Sequence, residues 1–574
     1  MSSSIESWDF IIVGSGPSGS ALAWKLASAP SNPSILLLEA GPTKDDRSLL
    51  VSGQRWTTFQ NPDMNWGYTT TPQENCAGRQ IDYSRGKVLG GSSAINFGVY
   101  TVGARDDYDT WAETVRDDIF SWKEIQRRFK EIESFDGVVK DERYQRFVTP
   151  DMEHHGYDGP LKVGYAEEWE DDMPPLLDAF HDAGVPLNGD HNSGDPIGLA
   201  LCLNSVSKGS RSTARDLINA VTSGNLEVKD GKAVRRVILH GKRAVGVEVD
   251  GEIFYASKEV ILSAGSLDTP RILMHSGLGP ASQLSRFNIP MVENIPAIGQ
   301  NLVDHFFVPL ILARKPDTND RTAFYGDQSA IDAATTQWNH DGTGPWSKYG
   351  SQLTMGWLKS SAIVGSSEFA ALPPDVQEFL NKPTIPHFEI SSHFPVHMLS
   401  PPGAFKDYSY LCLIVFLMNE QSKGSATLQS SDPDVPLLFN PNVLAHPYDR
   451  RACIEATREL LRIARHDSFA KDTVGTIASP ASESDDDILK YWSDNCSSSW
   501  HMCGTVKMGS AQQIKDGCAA VDSHFRLSGP GGEMKGLRVA DMSVVPVLTN
   551  NHTQATAYVT GVTAAEVLIG EYGL

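Results

Sequence analysis

Apolar runs and helical repeats alternate from the start of the chain. Phe10-Ile11-Ile12-Val13 is an unbroken apolar run, which predicts a buried strand. Behind it Leu22, Ala23, Leu26 and Ala27 recur at helical spacing, and Ile35-Leu36-Leu37-Leu38 predicts a second buried strand ending at Glu39. Residues 106–135 place Tyr108, Trp111, Ile119, Trp122, Ile125, Phe129 and Ile132 on the apolar face of a charged helical stretch. Period-2 runs at 226–229, 233–239 and 245–249, broken by Asp230-Gly231 and His240-Gly241, predict a meander of short strands. The run 258–265 predicts a strand returning to the first sheet. A helix follows, capped near Asp268-Thr269-Pro270 and stopped at Ser276-Gly277. Farther on, 386–394 and 408–418 predict long apolar strands, 423–433 the next strand with its turn, and 447–465 a helix. The fold class expected is α/β: a parallel, Rossmann-like layer and a second layer built on a large antiparallel sheet covered by helices.

Composition narrows the function classes. The chain has 574 residues, 40% of them apolar and 21% charged, with 71 acids against 49 bases and a formal charge of −22. That balance predicts no nucleic-acid partner and no anionic membrane surface. The start, Met1-Ser-Ser-Ser-Ile-Glu, lacks the basic and apolar regions of a signal peptide, and no apolar run approaches the ~20 residues of a membrane span. The seven cysteines are scattered, with no C-x-x-C pair, as in a reduced protein with no metal site. The expected location is cytoplasmic.

The chemistry begins at Gly14-Ser15-Gly16-Pro17-Ser18-Gly19. These glycines have the G-x-G-x-x-G spacing between a strand and a helix, and Glu39 follows about twenty residues later. Gly14 makes the tight turn, Gly16 leaves room for a pyrophosphate, and Gly19 lets the helix approach the sheet. The helix start offers N–H groups to the phosphate charge. The stretch predicts a dinucleotide site without deciding which dinucleotide. A second loop, Val88-Leu89-Gly90-Gly91-Ser92-Ser93-Ala94-Ile95-Asn96, combines small side chains with exposed backbone donors, and so admits something flat and polar.

That loop resembles the first signature of the glucose–methanol–choline (GMC) oxidoreductase family, flavoproteins that oxidise alcohols. Gly265-Ser266-Leu267-Asp268-Thr269-Pro270-Arg271-Ile272-Leu273 through Gly279 resembles the second signature, and Ile298-Gly299-Gln300-Asn301-Leu302-Val303-Asp304-His305 a further family stretch. The likeness runs from residue 9 to 567. It implies FAD, with Gly14, Gly16, Pro17, Ser18 and Gly19 at the pyrophosphate and Glu39, with Ala40 beside it, at the adenosine ribose. Val234 is placed at the adenine. Val88 and the loop of Gly90, Gly91, Ser92 and Asn96 lie along the isoalloxazine. Trp500, Asp541, Met542 and Thr553 come from the stretches that return to the cofactor. Some relatives attach FAD through a histidine of the first signature; Ile95 stands there, so FAD is expected to be non-covalent. The resemblance also implies His501 as base and His552 as the partner hydrogen-bonding the same alcohol oxygen, with Asn551 the neighbouring alternative. A base of near-neutral pKa suits this work, because removing the hydroxyl proton builds the alkoxide character that expels a hydride. Relatives commonly carry Pro after the base, where this chain has Met502-Cys503. The helix from Thr553 would turn its positive end toward the flavin.

The resulting expectation is oxidation of an alcohol by hydride transfer to FAD, with O2 as acceptor and H2O2 as product. A dehydrogenase using a quinone, a lyase on the same scaffold and a non-catalytic FAD-binding protein are the alternatives. The aromatics Phe388, Phe394, Phe405, Tyr408, Tyr410, Phe416, Tyr491 and Trp492 tilt the expected substrate toward aryl or apolar primary alcohols. An FAD-binding domain is expected over 1–160, 205–310 and 498–574, and a substrate domain over 161–204 and 311–497.

Overall fold

The computed structural model describes residues 6–394 and 408–574, apart from positions 52, 54, 140, 141, 167 and 351. Phe405 lies outside them. At the centre of the first layer β1 (Ser7–Val13) pairs in parallel with β2 (Ile35–Leu38) on one side and with Glu252–Leu262 on the other. Gly532–Val539 adds a further parallel neighbour beyond Glu252–Leu262. β1 from Phe10 onward, and all of β2, are buried or nearly so, which accounts for runs without polar alternation. Helix α1 (Pro17–Ala27) lies against the final helix, Gln554–Tyr572. The two backbones approach so closely that a Cβ on Gly561 would stand 2.0 Å from the Ser18 carbonyl oxygen.

Two local expectations are corrected. Leu226–Lys229 leaves the meander and pairs in parallel with β2 as an edge strand; period alone does not say which partner a short strand takes. The antiparallel meander consists of Arg236–His240, Arg243–Val249 and Glu252–Leu262. The helix expected to be capped near Asp268 begins at Gly265 and runs to His275, with Pro270 inside it. Proline cannot donate to the Ser266 carbonyl one turn back. The Thr505 hydroxyl donates to that oxygen instead, at 2.6 Å, and the Ser266 hydroxyl donates to the Met502 carbonyl at 2.6 Å. The helix interruption is thereby stitched to the loop that carries His501.

The second layer is a six-stranded sheet that runs Thr354–Leu358, Phe388–Ser392, Ser409–Leu417, Phe306–Arg314 and Thr473–Ala478, with Ser497–Ser498 beside Phe306. Neighbours along this order pair antiparallel. The first three of these strands are buried at every position, and Pro447–Ala464 packs over the sheet. Gly424–Thr427, expected as the next strand here, belongs to a small separate sheet with Gln300–Leu302 and Leu438–Asn440. Phe306–Arg314 runs across residue 310, so we propose that the second layer begins before Phe306 rather than at 311. No helix among the described residues is long and apolar enough to cross a membrane.

Candidate active site

The dinucleotide turn is built from backbone and one acid. Gly14 adopts φ +100°, and a Cβ there would lie 2.5 Å from the Ser263 carbonyl oxygen. Ser15 donates to Glu39 Oε2 from its amide at 3.0 Å and its hydroxyl at 2.6 Å, and the Gly41 amide donates to Oε1 at 2.8 Å. Burial pushes the Glu39 carboxyl up against these bonds, which favour the carboxylate. Glu39 therefore braces the turn as well as lining the cavity in front of it.

That cavity runs from the glycine turn of the first layer to the loops carrying His501 and His552. Gly14, Gly16, Pro17, Ser18, Glu39 and Ala40 line one end, with Val234 nearby. Gly91, Ser92 and Asn96 line its length. Trp500, His501, Asp541, Met542, His552 and Thr553 gather at the other end. Three expected residues stand behind the wall instead. Gly19 packs against the strand, where a Cβ would fall 1.9 Å from the Gly14 carbonyl oxygen. Gly90 donates its amide to the Ser15 hydroxyl at 3.1 Å, and Val88 is buried with Phe59, Met64 and Ile95. They shape the loop without facing the space.

A dinucleotide fits this wall. Gly16 presents its α-carbon to the cavity with no atom within 4 Å of where a Cβ would stand, and a Cβ on Gly91 would come within 2.6 Å of the Gly16 α-carbon. The two glycines together keep a backbone-lined gap open. The N-terminus of the 19-residue helix Gln554–Tyr572 meets the same cavity through Thr553 and Gln554. Asp541 accepts from the Gly265 amide, the Thr269 hydroxyl and the Ser543 amide, tying the 541–543 stretch to the start of the helix Gly265–His275 at the wall.

Opposite this end the two expected histidines meet. Their rings are 4.8 Å apart, nearly perpendicular. His501 is carried on a constrained turn in which Trp500 has φ +58°. The Ser498 hydroxyl donates to Asp304 Oδ2 at 2.5 Å and accepts from the Trp500 amide at 2.8 Å. Asp304 accepts from the His501 amide at 2.7 Å, and Arg85 donates to the Trp500 carbonyl at 2.7 Å. Burial lifts the Asp304 carboxyl to about 6. His552 sits on a second clamped loop: its amide donates to the Thr101 hydroxyl at 3.1 Å, and Asn550 donates twice to the buried carboxylate of Asp107. Asn551 is turned away, its side-chain amide donating to the Thr101 carbonyl at 2.9 Å, so His552 and not Asn551 lines the cavity.

Two partners of these histidines escaped sequence reasoning. His305 Nδ1 lies 3.0 Å from His501 Nδ1, and Glu389 Oε1 lies 3.0 Å from His552 Nε2. His305 and Glu389 are fully buried. Burial pushes His501 well below the ordinary histidine value, with His552, His305 and Arg85 adding to the effect, and takes His305 down to about 3. His305 stood in a quoted family stretch. Glu389 carried a signal that was passed over: a carboxylate in mid-strand, where every neighbour is buried, needs a partner. Cys503, two residues past His501, is buried and exchanges backbone bonds with Val303, as a packing residue does. Among the described residues no group of acids, histidines and cysteines could hold a metal.

An adjoining cavity shares Phe59, Trp66, Ser84, Phe97, Val99, Ser499, Trp500 and His552 with the first; Phe307, Phe394, Ile414 and Phe416 line it together with the polar Gln60, Asn65, Asp82, Ser497 and Ser498. Of the described aromatics singled out in the sequence, Phe394 and Phe416 reach it. Phe388, Tyr410, Tyr491 and Trp492 are core residues, and Tyr408 is exposed.

Family models of GMC oxidoreductases match residues 8–307 and 420–561. The oxygen-dependent choline dehydrogenase of Rhizobium etli is 30% identical over 99% of this chain and 96% of its own. Pyranose dehydrogenase 3 of Leucoagaricus meleagris is 31% identical over 98% and 93%. A formate oxidase variant from Aspergillus oryzae RIB40 superposes over the whole of both chains with TM-score 0.88 and 26% identity. A fungal aryl-alcohol oxidase shares the fold, with TM-score 0.82 at 24% identity over 99% of this chain and 100% of its own. The chain belongs to the GMC oxidoreductase family. It is an FAD-dependent oxidoreductase acting on the CH–OH group of an alcohol.

Proposed function

We propose that His501 is the base that takes the hydroxyl proton of an apolar primary alcohol, with His552 hydrogen-bonding the same oxygen. The observation that carries this reading is the pairing of His501 Nδ1 with His305 Nδ1 at 3.0 Å. If His501 donates in that bond, its Nδ1 holds the proton and its Nε2 keeps a lone pair for the substrate. Glu389 accepts from His552 Nε2–H, and with a proton on both ring nitrogens His552 donates to the alcohol oxygen from Nδ1. His305 and Glu389 are then positioning residues, His305 fixing the His501 tautomer and Glu389 holding the His552 ring. Bound FAD supplies the two-electron acceptor for the hydride. The start of the helix Gln554–Tyr572 would favour negative charge on it by roughly 0.3–2 kcal/mol.

The substrate preference rests on the adjoining cavity, where Phe59, Phe97, Phe307, Phe394 and Phe416 would meet the part of the molecule beyond the carbinol carbon. We take O2 as the acceptor, in line with the oxygen-dependent choline dehydrogenase among the relatives. A panel of aryl, alkyl and sugar alcohols under air, read by peroxide yield, tests both points. Turnover of the aryl alcohols with a dye but without peroxide would move the assignment to the dehydrogenase reading.

Two further results are expected. The cavity wall among the described residues carries no cysteine or tyrosine, its histidines are His501 and His552, and Ile95 occupies the attachment place. Acid precipitation should therefore leave all flavin colour in the supernatant, whereas colour in the pellet would show a covalent link. The lowered pKa of His501 keeps it neutral and able to accept a proton through mildly acid pH. The acid limb of kcat/KM should accordingly lie below the ordinary histidine value of about 6.5. A limb above that value would mean that His501 is not the titrating base.

A further inference from the structure

Away from the cavity, two cysteines face each other within the core that packs against the second-layer sheet. Cys76 ends the short turn Glu74–Cys76, and Cys496 follows the helix Asp485–Asn495 just ahead of Ser497–Ser498. Their sulfurs are 3.4 Å apart, both side chains are fully buried, and 420 residues of chain separate them. The guanidinium of Arg79 fastens the two segments together: it donates to the Ser493 carbonyl at 3.2 Å and to the Cys496 carbonyl at 3.1 Å. The turn is thus held against the helix end by contacts that do not involve sulfur. A disulfide requires about 2.05 Å between sulfurs. The remaining gap is small enough for side-chain rotation to close, with Arg79 keeping the backbones in place.

We propose that Cys76 and Cys496 are a disulfide-forming pair that closes when a peroxide oxidises the protein. The Cys76 thiolate attacks one peroxide oxygen; the O–O bond breaks, the other oxygen leaves as water, and Cys76 becomes a sulfenic acid. The Cys496 sulfur then attacks the Cys76 sulfur and expels the hydroxyl, which leaves as water with the Cys496 proton. Two thiols and one peroxide give one disulfide and two waters, the sulfurs losing two electrons and the O–O bond gaining them. Cys76 suits the attacking role, because its hydrogen bond with Cys496 and the charge of Arg79 pull its thiol down, whereas Cys496 is pushed up. The bond would lock the end of the helix that leads into the Ser498–His501 turn to the Glu74–Cys76 turn beside it.

The test uses the full-length holoenzyme carrying Cys518→Ser, which removes the exposed thiol. The protein is treated with hydrogen peroxide, unfolded in excess alkylating agent, and its thiols are counted and mapped by mass spectrometry. Of the seven cysteines in the chain, six remain in this background. The expected result is a fall from six alkylated thiols to four, with one cross-linked peptide pair joining Cys76 to Cys496, reversed by dithiothreitol. Adding Cys76→Ser should abolish the cross-link. Six intact thiols, separate over-oxidised Cys76 and Cys496, or a cross-link through Cys453 would each overturn the proposal. Because the peroxide is added, the outcome does not depend on the enzyme's own acceptor.

Discussion

His501→Ala is expected to lower kcat by about a hundred- to ten-thousandfold, the usual worth of a positioned general base, while the protein stays yellow. The turn that carries this residue is held through main-chain atoms: Asp304 accepts from the 501 amide and Arg85 donates to the Trp500 carbonyl. Truncating the imidazole leaves those bonds intact. It does leave His305 Nδ1 without its partner, at a cost of about 1–3 kcal/mol. A thermal midpoint measured beside the rate separates that modest loss from the catalytic one. A large fall in kcat with a nearly unchanged midpoint and full flavin content is the outcome that places the base here. An equal fall in flavin content would make His501 a cofactor residue instead.

The second large effect is expected from Gly16→Ala. Gly16 has φ −63° and ψ −178°, a backbone that any residue adopts, so alanine there brings no strain to the chain itself. Its methyl would instead project into the cavity, where no protein atom lies within 4 Å, and take space from a bound pyrophosphate. Crowding a fitted contact of this kind costs about 1–3 kcal/mol, or roughly ten- to a hundredfold in FAD affinity. The variant should fold like the parent, with an unchanged midpoint for the FAD-free protein, and lose its colour on dilution. Wild-type affinity would show that the pyrophosphate does not run past Gly16. Gly19→Ala makes the contrast: its methyl meets the Gly14 carbonyl oxygen at 1.9 Å, so it should destabilise the FAD-free fold as well.

What the sequence revealed and what it hid follow from how far apart the interacting residues lie. The glycine turn, β1, β2 and Glu39 are legible because the geometry they need is local, one strand–turn–helix unit closed by the next strand. The two histidine loops are legible through the family resemblance, and the structure brings His501 and His552 within one cavity wall. Contacts between distant segments were not legible. Glu389 and His552 are 163 residues apart, and His305 and His501 are 196 apart, so no spacing rule connects them. The same reason misplaced Leu226–Lys229, whose pattern suits a meander and a parallel edge equally. Pro270 misled because its missing hydrogen bond is made good by Thr505, far along the chain. The aromatics misled in a different way. A strand buried on both faces needs large apolar side chains whether or not a substrate lies near, so Phe388 and Tyr410 read like Phe416 until the sheet is assembled.

Anaerobic mixing of the purified holoenzyme with an aryl primary alcohol, followed at the flavin absorbance, bears most directly on proton removal by His501 as the trigger for hydride loss. The wild type should bleach in one turnover, and His501→Ala with a full complement of FAD should bleach slower by about the hundredfold or more lost in kcat. Equal bleaching rates in the two proteins, or no bleaching of the wild type by any alcohol, would contradict the assignment.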